Sequence, residues 1–307
     1  MFRPQTHNPV LAALLIMLAT AFIAATTLLA KALGTGVFGP ALHPIQISHG
    51  RFVFAFAVFG TVIPWLRPDL SRPHLKLHVG RTGFGWIGVT LMFAAVAHIP
   101  MSDATAITFL NPVFAMILAI PLLGERVGPV RWGAAAIAML GAMILLRPSA
   151  ASFQPAALLA LGAAMVMGME LIFIKKLTQC EPILKILFYN NLVGVCMASL
   201  AVLAVWQAPT PAQWVALAGI GVLMACAQTA FVSGMARADA SFAAPFSYTT
   251  LIFAVLYDFA GFAILPDATS ILGASVILAG ALLLALREGG NRRARIAPAP
   301  ALDRDAL

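Results

Sequence analysis

Long apolar runs, separated by short polar punctuation, make up almost the whole chain. Ten runs stand out, over residues 10–30, 44–65, 83–99, 103–123, 130–146, 155–174, 184–206, 213–235, 241–263 and 269–286. A helix needs about 20 mostly apolar residues to cross a hydrocarbon core of about 30 Å. The breaks carry the residues that end helices: Gly34-Thr35-Gly36, Arg67-Pro68, Pro100, Gly128-Pro129, Arg147-Pro148, Pro209-Thr210-Pro211 and Pro266. Membrane strands would be alternating segments of about ten residues. These runs are longer and continuously apolar. The pattern predicts an all-α integral membrane protein with ten transmembrane helices.

Composition agrees with that reading. Hydrophobic residues are 61% of the 307 and charged residues only 10%, where a soluble domain carries about 25%. Mean hydropathy is +0.95. The first run is long enough to span, and only Arg3 precedes it, so no cleavable signal peptide is expected. The net charge of +8 would suggest nucleic acid in a soluble protein. Here its distribution points to a bilayer instead, and no nucleic-acid partner is expected.

With the N-terminus placed inside, the inner segments hold Arg3, then Arg67, Arg72, Lys76 and Arg81, then Arg126 and Arg131. They also hold Lys175, Lys176 and Lys185, then Arg237, then Arg287, Arg292, Arg293, Arg295 and Arg304. The outer segments hold only Lys31 and Arg147, and Arg51 lies within a span. This asymmetry is the positive-inside pattern. It predicts a multi-pass protein of a bacterial-type inner membrane with both termini cytoplasmic.

Five spans per half force the second half to be inverted relative to the first. The expected organisation is one five-helix repeat over 1–148, a second over 149–288, and a disordered basic cytoplasmic tail over 289–307. The tail's arginines suit anionic lipid. A trace of the repeat survives in Trp132-Gly133 to Leu146 and Leu272-Gly273 to Leu286, which both run from Gly through small residues to a Leu-rich end. Inverted repeats place a binding site near mid-membrane at their interface.

Short motifs add a family likeness. The fourth and fifth spans read Asn111-Pro112-Val113-Phe114, Leu122-Leu123-Gly124-Glu125-Arg126, Trp132-Gly133 and Gly141. This resembles the EamA-type repeat of the drug/metabolite transporter superfamily, and Arg51 looks like an arginine common there. The second half matches through Ala243-Ala244-Pro245-Phe246-Ser247-Tyr248, Pro266-Asp267 and Gly273. It departs at Phe262-Ala263-Ile264, where the family has Phe-Gly-Glu, so the second corner lacks its glutamate. The resemblance implies a small-molecule transporter with a cavity lined mainly by spans 1, 3, 4, 6, 8 and 9. Known substrates of similar proteins include amino acids, riboflavin and S-adenosylmethionine.

Charges inside a span cost at least about 2.5–3.5 kcal/mol at its centre, so each needs a partner, water or a role. Glu170 in span 6 is the leading candidate, as a proton-coupling acid or a partner for a substrate cation. Arg51, Asp258 and Lys31 are expected at similar outer depth and form a candidate gating charge group. Arg51 could alternatively bind a carboxylate or tie helix ends together. Asn111, Thr108, Trp86, Thr90, Phe93, Gln228, Phe231 and Tyr248 are candidates to line a substrate pocket. Trp86, Thr90 and Phe93 share a helical face by their spacing, and ordinary helix packing is the alternative for the aromatic residues. Asn190-Asn191 reads as interhelical hydrogen bonding, and Glu125 as a corner signature.

No catalytic motif is legible, and the three cysteines match no metal or redox spacing. His74 and His78 could share a face, but as surface imidazoles of a loop. No enzyme activity, metal or cofactor is expected. The sequence therefore predicts a secondary transporter of a small polar organic metabolite, amino-acid-like, with direction open. A planar vitamin or nucleoside-like compound, such as riboflavin or S-adenosylmethionine, is the alternative substrate. Protons or a counter-substrate are the candidate coupling partners, and a monomer and a homodimer both stay open. An integral-membrane enzyme or sensor is the remote alternative. An enzyme would cluster His, Asp or Glu at one interface, and a sensor would carry a soluble output domain.

Overall fold

The computed structural model describes residues 9–123, 128–146, 154–177, 180–235, 237, 246 and 248–296. Every regular element among the described residues is a helix. They are α1 (Pro9–Gly34), α2 (Pro44–Leu66), α3 (Leu75–Val96), α4 (Met101–Thr108), α5 (Asn111–Leu123) and α6 (Pro129–Leu146). Then come α7 (Pro155–Leu177), α8 (Ile183–Val202), α9 (Pro211–Met235), α10 (Thr249–Phe262) and α11 (Ala268–Ile296). Five of these begin on proline, whose fixed φ and missing N–H suit the first turn. At the C-terminal ends of α2 and α10, Arg67 and Ala263 turn left-handed at φ 41° and 54° and donate their N–H back into the last turn.

Among the described residues seven spans are long and apolar enough to cross a membrane, with α4 and α5 together forming one of them, Met101–Leu122. Three shorter apolar stretches, Trp132–Leu145, Thr249–Phe262 and Ala268–Gly280, fall on the remaining predicted runs.

Three boundaries differ from the sequence reading. Helix α3 starts at Leu75 rather than 83, because His78 and Arg81 are buried and partnered inside it. Span 4 is broken at Phe109-Leu110. Pro112 has no N–H to offer the Thr108 carbonyl, and Leu110 N–H turns back to Ile107 O instead, at 3.0 Å. Helix α11 runs on to Ile296, so 289–296 continues the helix where a disordered tail is expected. The Gly124-Glu125-Arg126 corner, Ala243-Ala244-Pro245, Ser247 and the rest of the tail lie outside the described residues.

The packing obeys an exchange of halves. Helix α1 lies along α9, as its counterpart α7 lies along α3. Helix α10 packs on α1, as α5 packs on α7, while α2 meets α8 and α6 meets α11. Each contact maps onto another when the five-span halves are swapped, as inverted repeats require. Helices α6 and α11 approach closest through small residues. A Cβ on Gly141 would stand 2.6 Å from Ile277 N, and one on Gly280 would stand 2.5 Å from Ala138 N. Without a hydrophobic drive between helices in lipid, such close backbone packing supplies the attraction.

Candidate substrate site

The polar centre of the molecule is built by α2, α3 and α7. Ser48 on α2 is its hub. It donates to Ile45 O at 2.9 Å and accepts from Trp86 Nε1 and Thr90 Oγ1, both at 3.0 Å. These bonds fix the Trp86 indole and Thr90 on the face that carries Arg51, less than one turn further along α2. Arg51 is only 6% exposed. Its Nε and Nη1 have no hydrogen-bond partner among the described residues, and its Cζ lies 4.5 Å from the Phe52 ring centroid.

Glu170 enters from α7. Gly85 makes room for it, since a Cβ there would sit 2.7 Å from the Glu170 carboxyl carbon. Arg81 Nε stands 3.6 Å from Glu170 Oε1, and Arg81 Nη1 donates to Ile186 O at 3.5 Å. Arg51 lies within electrostatic reach of both. The centre thus holds two guanidinium groups, one carboxylate and an indole. Arg81, a loop cation by its place in the sequence, is buried within α3. Its spacing of four from Gly85, on a face with Trp86 nearby, was the available signal.

The expected charge group of Lys31, Asp258 and Arg51 is split. Lys31 Nζ pairs with Asp258 Oδ1 at 2.5 Å, with both side chains buried. The other Asp258 oxygen accepts from Met101 N–H at 2.6 Å, and Lys31 lies 4.8 Å from the Phe262 centroid. This pair joins α1, α10 and the start of α4. Arg51 belongs to the other centre. Asp103, not singled out from sequence, is also buried and accepts from Ser270 Oγ at 2.9 Å, tying α4 to α11.

The remaining candidates scatter. Phe93 is buried in an apolar cluster with Ala30, Leu33, Ile47 and Ile220. Thr108 donates to Thr105 O at 2.8 Å. Asn111 opens α5, and its carbonyl lies against Gly168 of α7. Gln228 accepts from Asn191 Nδ2 at 3.4 Å. Phe231 is 37% exposed on the outside of α9. Tyr248 packs edge-on against Phe109 at 5.2 Å. Phe109 lies in the break of span 4, and Tyr248 lies just before α10. A cavity of about 430 Å³ lies elsewhere, between α1, α2 and α9, lined by residues such as Leu18, Phe22, Phe59 and Ala225. It contains none of the charged side chains, so shape alone does not mark it as the polar site. Among the described residues no three His, Cys, Asp or Glu side chains gather as metal ligands would.

Hydrogen-bonded latches join the two halves at both ends. At one end Gln46 Nε2 donates to Gln207 O at 2.7 Å, Gln213 Nε2 to Pro40 O at 2.7 Å and Thr210 Oγ1 to Phe38 O at 2.9 Å. At the basic end the latch is charged. Glu181 accepts from His74 N–H at 2.6 Å, from His74 Nδ1 at 2.8 Å and from His78 Nε2 at 2.7 Å. Lys185 Nζ donates to Ser71 O and Tyr189 Oη to Leu70 O. His78 is therefore a buried partner, not the surface imidazole expected.

Burial pushes the Glu181 carboxyl up, but the His74 N–H and the two imidazoles outweigh it and hold Glu181 at about 2 instead of the ordinary 4.5. A depressed carboxylate stabilises the fold above its unfolded pKa, and that contribution is lost as pH falls through the folded pKa. Thermal stability of the purified protein should therefore fall between pH 4.5 and about 2. Glu181→Gln should flatten that part of the profile in a scan of melting temperature against pH.

The apolar helices and the charge pairs buried between them define a multi-pass membrane protein. Comparison with known proteins agrees. The EamA-like transporter family matches residues 10–147 and 154–286. The chain is 33% identical to a riboflavin transporter of Vibrio cholerae serotype O1 over 232 residues, 73% of this chain and 78% of that one. It is 32% identical to a riboflavin transporter of Rhizobium johnstonii, over 78% of this chain and 82% of that one. It is 26% identical to an S-adenosylmethionine uptake transporter of Rickettsia bellii, over 81% and 86%. A solved crystal structure superposes with a TM-score of 0.61 at 21% identity, covering 90% of this chain and 97% of the other, which supports the fold. The protein belongs to the EamA-like transporter family, and it is a transporter rather than an enzyme.

Proposed function

We propose that the protein is a secondary transporter of a planar, ring-bearing metabolite of the riboflavin or S-adenosylmethionine kind. The observation that carries this is the likeness to two riboflavin transporters at 33% and 32% identity over about three quarters of each chain. The substrate reading favoured by sequence as the alternative thus moves ahead of the amino-acid-like solute. The pinned Trp86 indole beside the charged centre supports it, since an aromatic face stacks on a planar ring. The two halves rock about the centre at α2, α3 and α7, and the basic end faces the cytoplasm of a bacterial inner membrane. Protons or a counter-substrate drive the cycle.

Uptake of radiolabelled riboflavin and of S-adenosylmethionine into proteoliposomes tests the reading. Saturable uptake of either supports it, and equal rates in protein-free liposomes for both would remove it. An amino-acid-like solute is the second reading. It is favoured by the opposite charges of Arg51 and Glu170, which suit a zwitterion.

A further inference from the structure

The polar centre has more donors than acceptors. Arg51 Nε and Nη1 and Arg81 Nε are buried with no hydrogen-bond partner among the described residues. The one carboxylate within reach, Glu170, stands closer to Arg81 than hydrogen-bond distance plus a few tenths of an ångström, at 3.6 Å. It makes no hydrogen bond to these three donors, though a carboxylate could accept from both groups. A buried donor left unpaired costs about 1–3 kcal/mol, and more when charged. Arg51 is nonetheless buried, less than one turn along α2 from Ser48, whose bonds to Trp86 and Thr90 tie α2 to α3. A buried guanidinium with two donors free of hydrogen-bond partners among the described residues has left a place for an anion.

We propose that Arg51 is the specificity-determining residue of the transport site and that it binds an anionic oxygen group of the substrate, of which a carboxylate is the simplest. The inference rests on the transporter reading above and, within it, favours the S-adenosylmethionine-like and amino-acid-like substrates, which carry a carboxylate, over riboflavin, which carries none. Two guanidinium groups against one carboxylate give the centre a charge of +1, and one substrate carboxylate makes it neutral. The Trp86 indole, held at 3.0 Å from Ser48 Oγ, supplies the flat wall for the ring attached to that group. Glu170 competes with the substrate for the arginines. Removing its charge should therefore strengthen anion binding, the opposite of what a purely structural ion pair would do.

Nicotinate and nicotinamide test this, because they share a ring and differ in the carboxylate. Binding to the full-length protein in detergent is read by calorimetry and by the ligand-induced shift in melting temperature. Nicotinate should bind and nicotinamide should bind at least about tenfold more weakly, the size of one charge-assisted hydrogen bond. Arg51→Gln should abolish the difference, and Arg51→Lys should retain part of it because the charge remains. Glu170→Gln should tighten nicotinate and leave nicotinamide unchanged. Equal binding of the two compounds, binding of neither, or an undiminished difference in Arg51→Gln overturns the proposal. If Arg51→Gln does not fold, the Glu170→Gln result decides alone: weakened or unchanged nicotinate binding overturns it. These readings need no transport, so failure of riboflavin and S-adenosylmethionine uptake would remove the proposed function without touching this result.

Discussion

Replacing Asp258 with alanine should destabilise the protein by on the order of 3–5 kcal/mol, the usual cost of removing one partner of a buried ion pair. The structure gives the reason twice over. Lys31 would be left buried without its carboxylate partner, beside the Phe262 ring. The N–H of Met101, at the start of α4, would also lose its acceptor. Asp258 is 1% exposed, so water cannot easily replace the carboxylate. The measurement is the yield and thermal melting of the detergent-purified variant. The double variant Lys31→Met with Asp258→Leu should recover much of the loss, since an apolar pair of similar volume often does as well as a buried salt bridge. A single variant as stable as the parent would show that the pair holds nothing together.

Glu170→Gln should have the largest effect on activity. The carboxylate is the one acid placed against Arg81 and Arg51. Without it the two guanidinium groups face each other unopposed in a low-dielectric interior. We expect a drop in maximal uptake of about tenfold or more, equivalent to about 1.4 kcal/mol in the rate-limiting barrier, with expression retained. The variant should bind a carboxylate more tightly while moving it more slowly, because a substrate held harder in one state leaves it less readily. Uptake at the parent rate would take Glu170 out of any essential role.

Much of the architecture was legible in the sequence because a bilayer leaves few choices. Backbone groups in hydrocarbon must be bonded internally, so the apolar runs had to become helices, seven of spanning length and three shorter among the described residues. Proline and glycine set their ends, and five crossings per half required inversion. Pro112 announced the break in span 4, because a missing N–H in a helix must be absorbed somewhere. The site was harder to read. Glu170, Arg51, Trp86 and Thr90 were recognisable as polar or aromatic residues in apolar runs. Their partners were not. Arg81 and His78 lie next to loop residues and count as loop by hydropathy, yet burial against α7 and α8 draws them into α3.

Grouping by depth also misled. Lys31, Arg51 and Asp258 fall at similar depth, which suggested one cluster. Depth along a helix says nothing about the direction a side chain takes around it, and that rotation is set by which helix packs alongside. Helix α10 against α1 gave Lys31 to Asp258; α7 against α3 gave Glu170 to Arg81. Phe93 and Phe231, equal candidates as aromatic residues, went to a buried cluster and to the outer surface for the same reason.

The membrane helices and the two repeated halves were therefore determined by the chain's own hydrophobic pattern, through local rules of backbone bonding. The choice of charge partners waited on tertiary packing. It depends on helix rotations and on glycines such as Gly85 and Gly141 that let neighbours approach, and no local pattern encodes those.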